Sequence, residues 1–348
     1  MFLSTNMGDF FSILKEYKQL IDSYIFSRLP QKHEITEINN LYEMINDYPH
    51  RSGKGLRPSI LMIFCQAYGG KIESALNTAA ALEIFQNWIV IHDDIEDGSE
   101  LRRGLPALHV KYGMPLALNA GDALAGKMWE FLSNNRSILG PELTLDIIDQ
   151  FLKMYSKTTE GQHIELSWVQ NRRWDLTKED YFNMCQHKTS WYTCATPAWT
   201  GAMIARADKK HEEIIVKFGI DLGIAFQIQD DVLNLVGNEK IYGKEICGDL
   251  WEGKRTLITI DLMEKASSRE REYLKQKFDL PRHEKQADDM NSILDLIKKY
   301  GCIDYAIATS KELAAKARQS FAELNGSVDE KQRQIIVQLI DFMIDRKF

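Results

Sequence analysis

Cysteine is scarce in this 348-residue chain. The five present (65, 185, 194, 247 and 302) are odd in number and form no CxxC pair. Neither a disulfide framework nor a zinc site is indicated, and a reducing, cytoplasmic setting is expected. Proline (8) and glycine (21) are also few, and alternating valine-rich runs are sparse, which speaks against a sheet-based fold. Long apolar runs are missing. No window approaches the ~18 consecutive apolar residues of a membrane span, and the start, residues 1–14, is interrupted by Asp9 and has no basic region ahead of an apolar core, so no secretion signal is expected. Basic excess is absent too: 43 Lys and Arg face 50 Asp and Glu, a net charge of −7. A nucleic-acid partner, which needs a basic surface, is not expected.

What the chain does have is helix. Its 44% hydrophobic content suffices for a substantial core, and stretches rich in Ala, Leu, Ile, Lys and Glu point to an all-α fold in one large domain over residues 1–348. Helical periodicity predicts segments at 10–26, 58–68, 72–96, 115–134, 141–165, 178–206, 211–236 and 256–266, and from 291 onward. Pro58, Pro115 and Pro141 fall where they can occupy a first helical turn, and Gly69-Gly70 and Gly301 where helices can stop. The charged stretch 267–292 reads as a solvated pair of short helices or a loop. Its Asp288-Asp289 shows how unspecific an acidic pair is by itself.

Two other acidic clusters differ because a long apolar helix leads into each. Asp93-Asp94-Ile95-Glu96-Asp97 follows Trp88-Ile89-Val90-Ile91, and Asp230-Asp231 follows Ile224–Gln229. A carboxylate near a helix C-terminus is disfavoured by roughly 0.3–1 kcal/mol. Asp93 and Asp97, four apart, share one face and add a few tenths of a kcal/mol of repulsion. Two unit charges 4 Å apart repel by about 4 kcal/mol at an effective dielectric of 20. A bound hard cation such as magnesium relieves all of this.

Basic groups alternate with these acids. Arg102-Arg103 trails the first cluster, and guanidinium forks suit phosphate oxygens. Gly53-Lys54-Gly55-Leu56-Arg57-Pro58 frees the backbone just before a helix start, a ready anion site without the spacing of a P-loop. Lys188-Thr189, Gly243-Lys244 and Asp249-Leu250-Trp251-Glu252-Gly253-Lys254 follow.

In this order and spacing, GKGLRP, DDIEDGSELRRG, Lys188-Thr189, FQIQDDVLN and GKEICGDLWEGKRT resemble the trans-isoprenyl diphosphate synthases. The resemblance is densest from Gly53 to Thr256. It implies an all-α bundle around a deep central cavity, with the two aspartate motifs on opposite sides of its mouth. Asp93 and Asp97 would ligate two magnesium ions, Asp94 would support them, and Asp230 would hold a third. Arg102, Lys188 and Lys254 would grip the diphosphate of an allylic substrate. Lys54, Arg57, Arg103 and Gln86 would receive isopentenyl diphosphate. Thr189, Gln227 and Lys244 match positions that steady an allylic cation, and released diphosphate would serve as base. His92 is then a packing or supporting residue. The family is usually homodimeric.

The second motif departs from the family in ending at Asn234 where a third aspartate is common; the Asn234 amide oxygen could still reach a metal-bound water. The resemblance also places Trp88, with Phe85 one turn deeper, on the wall that stops chain growth, while Ile89 is not aromatic as in animal farnesyl types. A helix wheel alone sets Trp88 about 140° from Asp93, leaving core packing as the alternative for both aromatics. The pattern looks most like archaeal geranylgeranyl or farnesyl diphosphate synthases, so a twenty-carbon product is the first expectation and fifteen the second. Two competing readings are a class I terpene cyclase, whose NDxxSxxxE motif is not found in the sequence, and a non-catalytic regulatory subunit.

Overall fold

The computed structural model describes residues 7–51, 53–237, 246–324 and 326–344, and among them the chain is all-α apart from one two-stranded hairpin. Helices α1 (Met7–Phe26), α2 (Thr36–His50), α3 (Leu56–Ala67) and α4 (Ile72–Glu96) precede the hairpin, β1 (Leu101–Arg102) and β2 (Leu105–Pro106). Then come α5 (Leu108–Tyr112), α6 (Met114–Ser133), α7 (Arg136–Leu139), α8 (Pro141–Gln170) and α9 (Lys178–Cys185). A π-helical stretch, Gln186–Ala195, leads into α10 (Thr196–Ile204) and α11 (Glu212–Val236). Shorter helices follow at Gly248–Glu252, Leu257–Lys265, Ser268–Phe278 and Ala287–Lys299, then longer ones at Cys302–Ala322 and Glu330–Ile344.

These elements form two compact units. One is the chain up to Lys153 with Tyr192–Val216 and Phe321–Leu339; the other is Met154–Trp191 and Lys217–Ser320 with the chain from Ile340. In the first, α4 is the central element, buried on almost every side, with Ala75, Ala79, Ala80 and Ala81 fully enclosed. A helix apolar all round must be covered all round, and α3, α6 and α10 do so. Small residues set the approach: a Cβ on Gly121 of α6 would lie 2.3 Å from His92 Nε2 on α4, and one on Gly201 of α10 would lie 2.2 Å from the Leu61 carbonyl oxygen on α3. In the second unit, Gly223 of α11 sits under Ser190, where a Cβ would come within 2.5 Å of the Ser190 Cα.

Three local features differ from the periodicity reading, and a fourth decides between its alternatives. α2, which the periodicity reading passed over, carries Ile38, Leu41, Ile45 and Tyr48 at helical spacing and a proline in its last turn; Met44, Ile45 and Tyr48 are buried, and Asn46 Nδ2 donates to the Pro30 carbonyl at 2.9 Å. The Arg102–Leu105 pairing is closed by Arg103 and Gly104, both at positive φ (54° and 76°), the conformation a two-residue hairpin turn requires. The segment 178–206 is helical but wound as a π-helix in its middle. Within 267–292, Ser267 and Glu270 form a reciprocal capping box that starts a helix, so the short-helix alternative is the one realised.

Candidate active site

Consecutive helical residues point about 100° apart, so the two aspartates of each pair separate. In the first unit, Asp93 and Asp97 lie half-exposed at the end of α4, whereas Asp94 is fully buried. Both Asp94 oxygens accept from Arg102 Nε at 3.0 Å, Arg102 Nη2 adds a closer contact, and Tyr48 Oη donates to Oδ2 at 2.6 Å. Burial opposes the Arg102 charge and the Asp94 carboxylate more than restores it, so the guanidinium is held above its ordinary pKa. Burial and the same carboxylate push the Tyr48 phenol up. Arg102 Nη2 also lies 3.8 Å from Asp93 Oδ2. Asp94 thus anchors the hairpin beneath the motif, and Arg102 is engaged on its Nε and Nη2 side by aspartate.

Around the GKGLRP loop, Gly55 enters α3 at φ 59° and Lys54 is exposed. Arg57 Nη2 donates to Thr193 Oγ1 at 2.9 Å, with its guanidinium 4.3 Å above the Tyr192 ring. Arg103 Nη1 donates to the Tyr48 carbonyl at 2.7 Å. Beneath them lies Glu83 of α4, 9% exposed. Burial pushes its carboxyl up, while Arg103 and Arg57 pull it down. Gly53 is held over both partners: a Cβ there would stand 2.8 Å from Arg103 Nη2 and 3.4 Å from Glu83 Oε1. Gln86, one turn along α4, has a buried Oε1 without a hydrogen-bond partner among the described residues, so a donor group can be received there.

Phe85 and Trp88 are both buried and meet edge to face at 5.5 Å; Trp88 meets His92 at 6.1 Å and Phe85 meets Tyr192 at 5.9 Å. His92 Nε2 is 3.3 Å from the Leu118 carbonyl, a packing position against α6. Ile89 is half-exposed on the same helix.

In the second unit, Lys188 and Thr189 project from the π-helical stretch. Lys188 Nζ pairs closely with Glu165 Oε2 of α8, and Lys254 Nζ lies 3.9 Å from the same oxygen and 2.8 Å from Glu252. Two ammonium groups are thereby gathered on one buried carboxylate, Glu165, 8% exposed. Thr189 Oγ1 donates to Gln227 Oε1 at 2.7 Å and Gln227 Nε2 donates to Asp231 Oδ1 at 2.7 Å. Asp231 is buried and Asp230, its neighbour, half-buried. Burial pushes the Asp231 carboxyl up to about 7 against hydrogen bonds from Tyr181 and Gln227 that lower it. Asn234 Oδ1, the oxygen expected from sequence to be able to reach a metal-bound water, accepts from the Asp249 backbone N–H at 3.1 Å and so seats the helix Gly248–Glu252. Lys244 lies outside the described residues.

The donor set suits magnesium. Among the described residues no three His, Cys, Asp or Glu side chains gather to hold a metal unaided, and magnesium typically uses one or two carboxylates plus substrate phosphates. Asp93 and Asp97 in the first unit, and Asp230 in the second, carry hard oxygens at half-exposed helix positions, and Asp94 and Asp231 are buried and accept from Tyr48 and Tyr181. Sequence reasoning missed Tyr48, Glu83, Glu165, Tyr181 and Tyr192. Glu83 did leave a signal, a single acid inside the otherwise apolar helical run 79–85, whereas Glu165 follows Glu160, Gln162 and His163 and left none.

The polyprenyl synthetase family profile matches residues 38–297. The geranylgeranyl diphosphate synthase of Sulfolobus acidocaldarius is 32% identical over 338 residues, 97% of this chain and 98% of its own length. Among solved structures, the geranylgeranyl pyrophosphate synthetase of Pyrococcus horikoshii Ot3 matches with a TM-score of 0.85 at 31% identity, covering 98% of this chain and 99% of that one. A polyprenyl synthase from Caulobacter crescentus CB15, complexed with calcium and isoprenyl diphosphate, shares the fold with a TM-score of 0.85 at 24% identity, over 100% of both chains.

Proposed function

The chain belongs to the polyprenyl synthetase family, and from that premise we propose that it joins isopentenyl diphosphate to an allylic diphosphate (dimethylallyl, geranyl or farnesyl), with geranylgeranyl diphosphate as its main product. It is a short-chain trans-prenyltransferase, working as one catalytic domain over residues 1–348. The observation that carries this reading is the presence of two separate cation sets. Arg57 and Arg103 surround Glu83 in one unit, and Lys188 and Lys254 surround Glu165 in the other. Two diphosphate substrates need two such sets. A terpene cyclase takes one diphosphate and has no use for the first.

In the reaction the allylic carbon–oxygen bond breaks, its electron pair leaving with diphosphate. The double bond of isopentenyl diphosphate supplies the pair for the new carbon–carbon bond, and a proton is then lost to the released diphosphate. Lys188, Lys254 and Arg102 meet the charge that grows on the departing oxygens. Lys54, Arg57, Arg103 and Gln86 hold the isopentenyl diphosphate, with Glu83 keeping the two arginines together. The oxygen dipoles of Thr189 and Gln227 steady the cation, joined by Lys244. Magnesium, on which the family depends, would be held by Asp93, Asp97 and Asp230 as three ions and would neutralise the leaving diphosphate when bound.

Phe85 and Trp88 limit product length in this reading, which agrees with the twenty-carbon product named for the Sulfolobus relative. A homodimer is supported by Val110, Met114, Leu116 and Leu118, large apolar side chains left exposed along α5 and α6. A cytoplasmic location is supported by five free cysteines, and among the described residues no helix is long and apolar enough to cross a membrane. The test is incubation with isopentenyl diphosphate, magnesium and each allylic starter in turn, followed by chain-length analysis. Elongated prenyl diphosphates are expected. A cyclic hydrocarbon from an allylic diphosphate alone, or no product from any starter, would overturn the reading in favour of a cyclase or a regulatory subunit.

A further inference from the structure

Four side chains of the second unit form one hydrogen-bonded line. Thr189 Oγ1 donates to Gln227 Oε1 at 2.7 Å, Gln227 Nε2 donates to Asp231 Oδ1 at 2.7 Å, and Tyr181 Oη donates to Asp231 Oδ2 at 2.6 Å. The Gln227 amide meets Asp231 with its nitrogen and Tyr181 meets it with its hydroxyl, so the carboxyl oxygens are the acceptors of both bonds. With its NH₂ group turned to Asp231, the Gln227 amide has one orientation left and presents its carbonyl oxygen to Thr189. The Thr189 hydroxyl then gives its proton to that oxygen and keeps lone pairs for whatever lies beside it. The direction of the whole line is therefore set at its buried end, by Asp231 and by Tyr181, which is 1% exposed.

We propose that Asp231 and Tyr181 are positioning residues that fix the polarity of the Gln227 amide, so that the negative ends of the Gln227 and Thr189 dipoles face the allylic cation. This rests on the prenyltransferase reading and deepens it. It also separates the two aspartates of the second motif: Asp230 is a metal ligand, whereas Asp231 orients an amide. A glutamine without this fixed neighbour could turn over and aim its positive NH₂ end at a developing cation. Preorganised dipoles act at the transition state and leave ground-state binding largely alone, so their loss appears in kcat.

A double-mutant cycle tests the inference. Tyr181→Phe removes one hydroxyl and should lower kcat about tenfold, with KM for both diphosphates and the half-saturating magnesium concentration within about twofold of the parent. In a Gln227→Ala background the same change should lower kcat by less than about twofold, because nothing remains to be oriented. Asp231→Asn, whose amide can donate as well as accept, should cost more than Tyr181→Phe while melting near the parent temperature. Additive losses in the cycle would overturn the inference, because they are what a merely structural role produces. So would parental kcat in both single variants, or a raised magnesium requirement in Asp231→Asn, which would make Asp231 a metal ligand. If Asp231→Asn does not fold, the Tyr181→Phe cycle decides alone. A parent enzyme that makes no prenyl product overturns the prenyltransferase reading instead.

Discussion

Gly161 of α8 should be among the least replaceable positions in the chain. A Cβ there would stand 2.0 Å from the Lys188 backbone nitrogen, 2.5 Å from the Lys188 Cα and 2.7 Å from the His187 carbonyl carbon. Ordinary contact begins near 3.4 Å, so Gly161→Ala must push the π-helical stretch back by more than an ångström. Backbone cannot turn aside as a flexible side chain can. Overpacking of this kind costs about 1–3 kcal/mol, while alanine's helix propensity returns up to about 1 kcal/mol. The net should be a melting temperature lower by several degrees, at ~2–4 °C per kcal/mol for a chain of this size. Activity should suffer more than stability. Lys188 and Thr189 ride on the displaced segment, and a 1 Å error in positioned groups is worth about 10²-fold in rate. Gly126 of α6 supplies the control, since a Cβ there meets nothing within 4 Å. Gly126→Ala should leave turnover intact and raise the melting temperature slightly. Thermal melts and steady-state rates on both variants suffice, and parental turnover with a raised melting temperature in Gly161→Ala would refute the packing argument.

Asp93→Ala should lower turnover by at least ~10²-fold, as loss of a main electrostatic stabiliser does; rates across a magnesium titration check it, and near-parental turnover would remove Asp93 from the site. Trp88→Ala should lengthen the products if its indole ends the growing chain, which mass analysis of dephosphorylated products would reveal. Glu270 is held well below the ordinary carboxylate range by Lys299, Ser267 and Tyr300. A depressed folded-state value contributes stability above the unfolded value and loses it as pH falls through the folded one. Glu270→Gln should therefore melt below the parent at pH 7 and approach it under strongly acidic conditions, and a gap that stays constant with pH would show that the charge is irrelevant.

Much of this architecture was legible in the sequence because it rests on long apolar periodicity. The predicted helix at 72–96 matches α4 to the residue, and the charged clusters at its end stood out against local propensity. What was not legible depends on partners distant in sequence. α2 carries apolar residues at helical spacing, but its role rests on Tyr48, which donates to Asp94 46 residues away. The π-helical winding at 186–195 has no signature in period, since Gly161 and Gly223 shape it from other helices. Asn234 looked like a degraded metal ligand; its bond to the Asp249 N–H depends on where the chain returns after α11.

The division of labour within each aspartate pair affects how natural variants should be interpreted. Tyr48 and Tyr181 each donate to the buried aspartate at 2.6 Å, so both motifs use a phenol to secure the inner acid while the outer one is kept from the core. Two adjacent, identical letters therefore encode unequal tolerances. An inherited change at Asp94 or Asp231 would lower activity in a screen and be scored as lost metal affinity, yet extra magnesium could not restore it. Compensation would have to come from a second change at the tyrosine, so each Tyr–Asp pair should vary together or not at all.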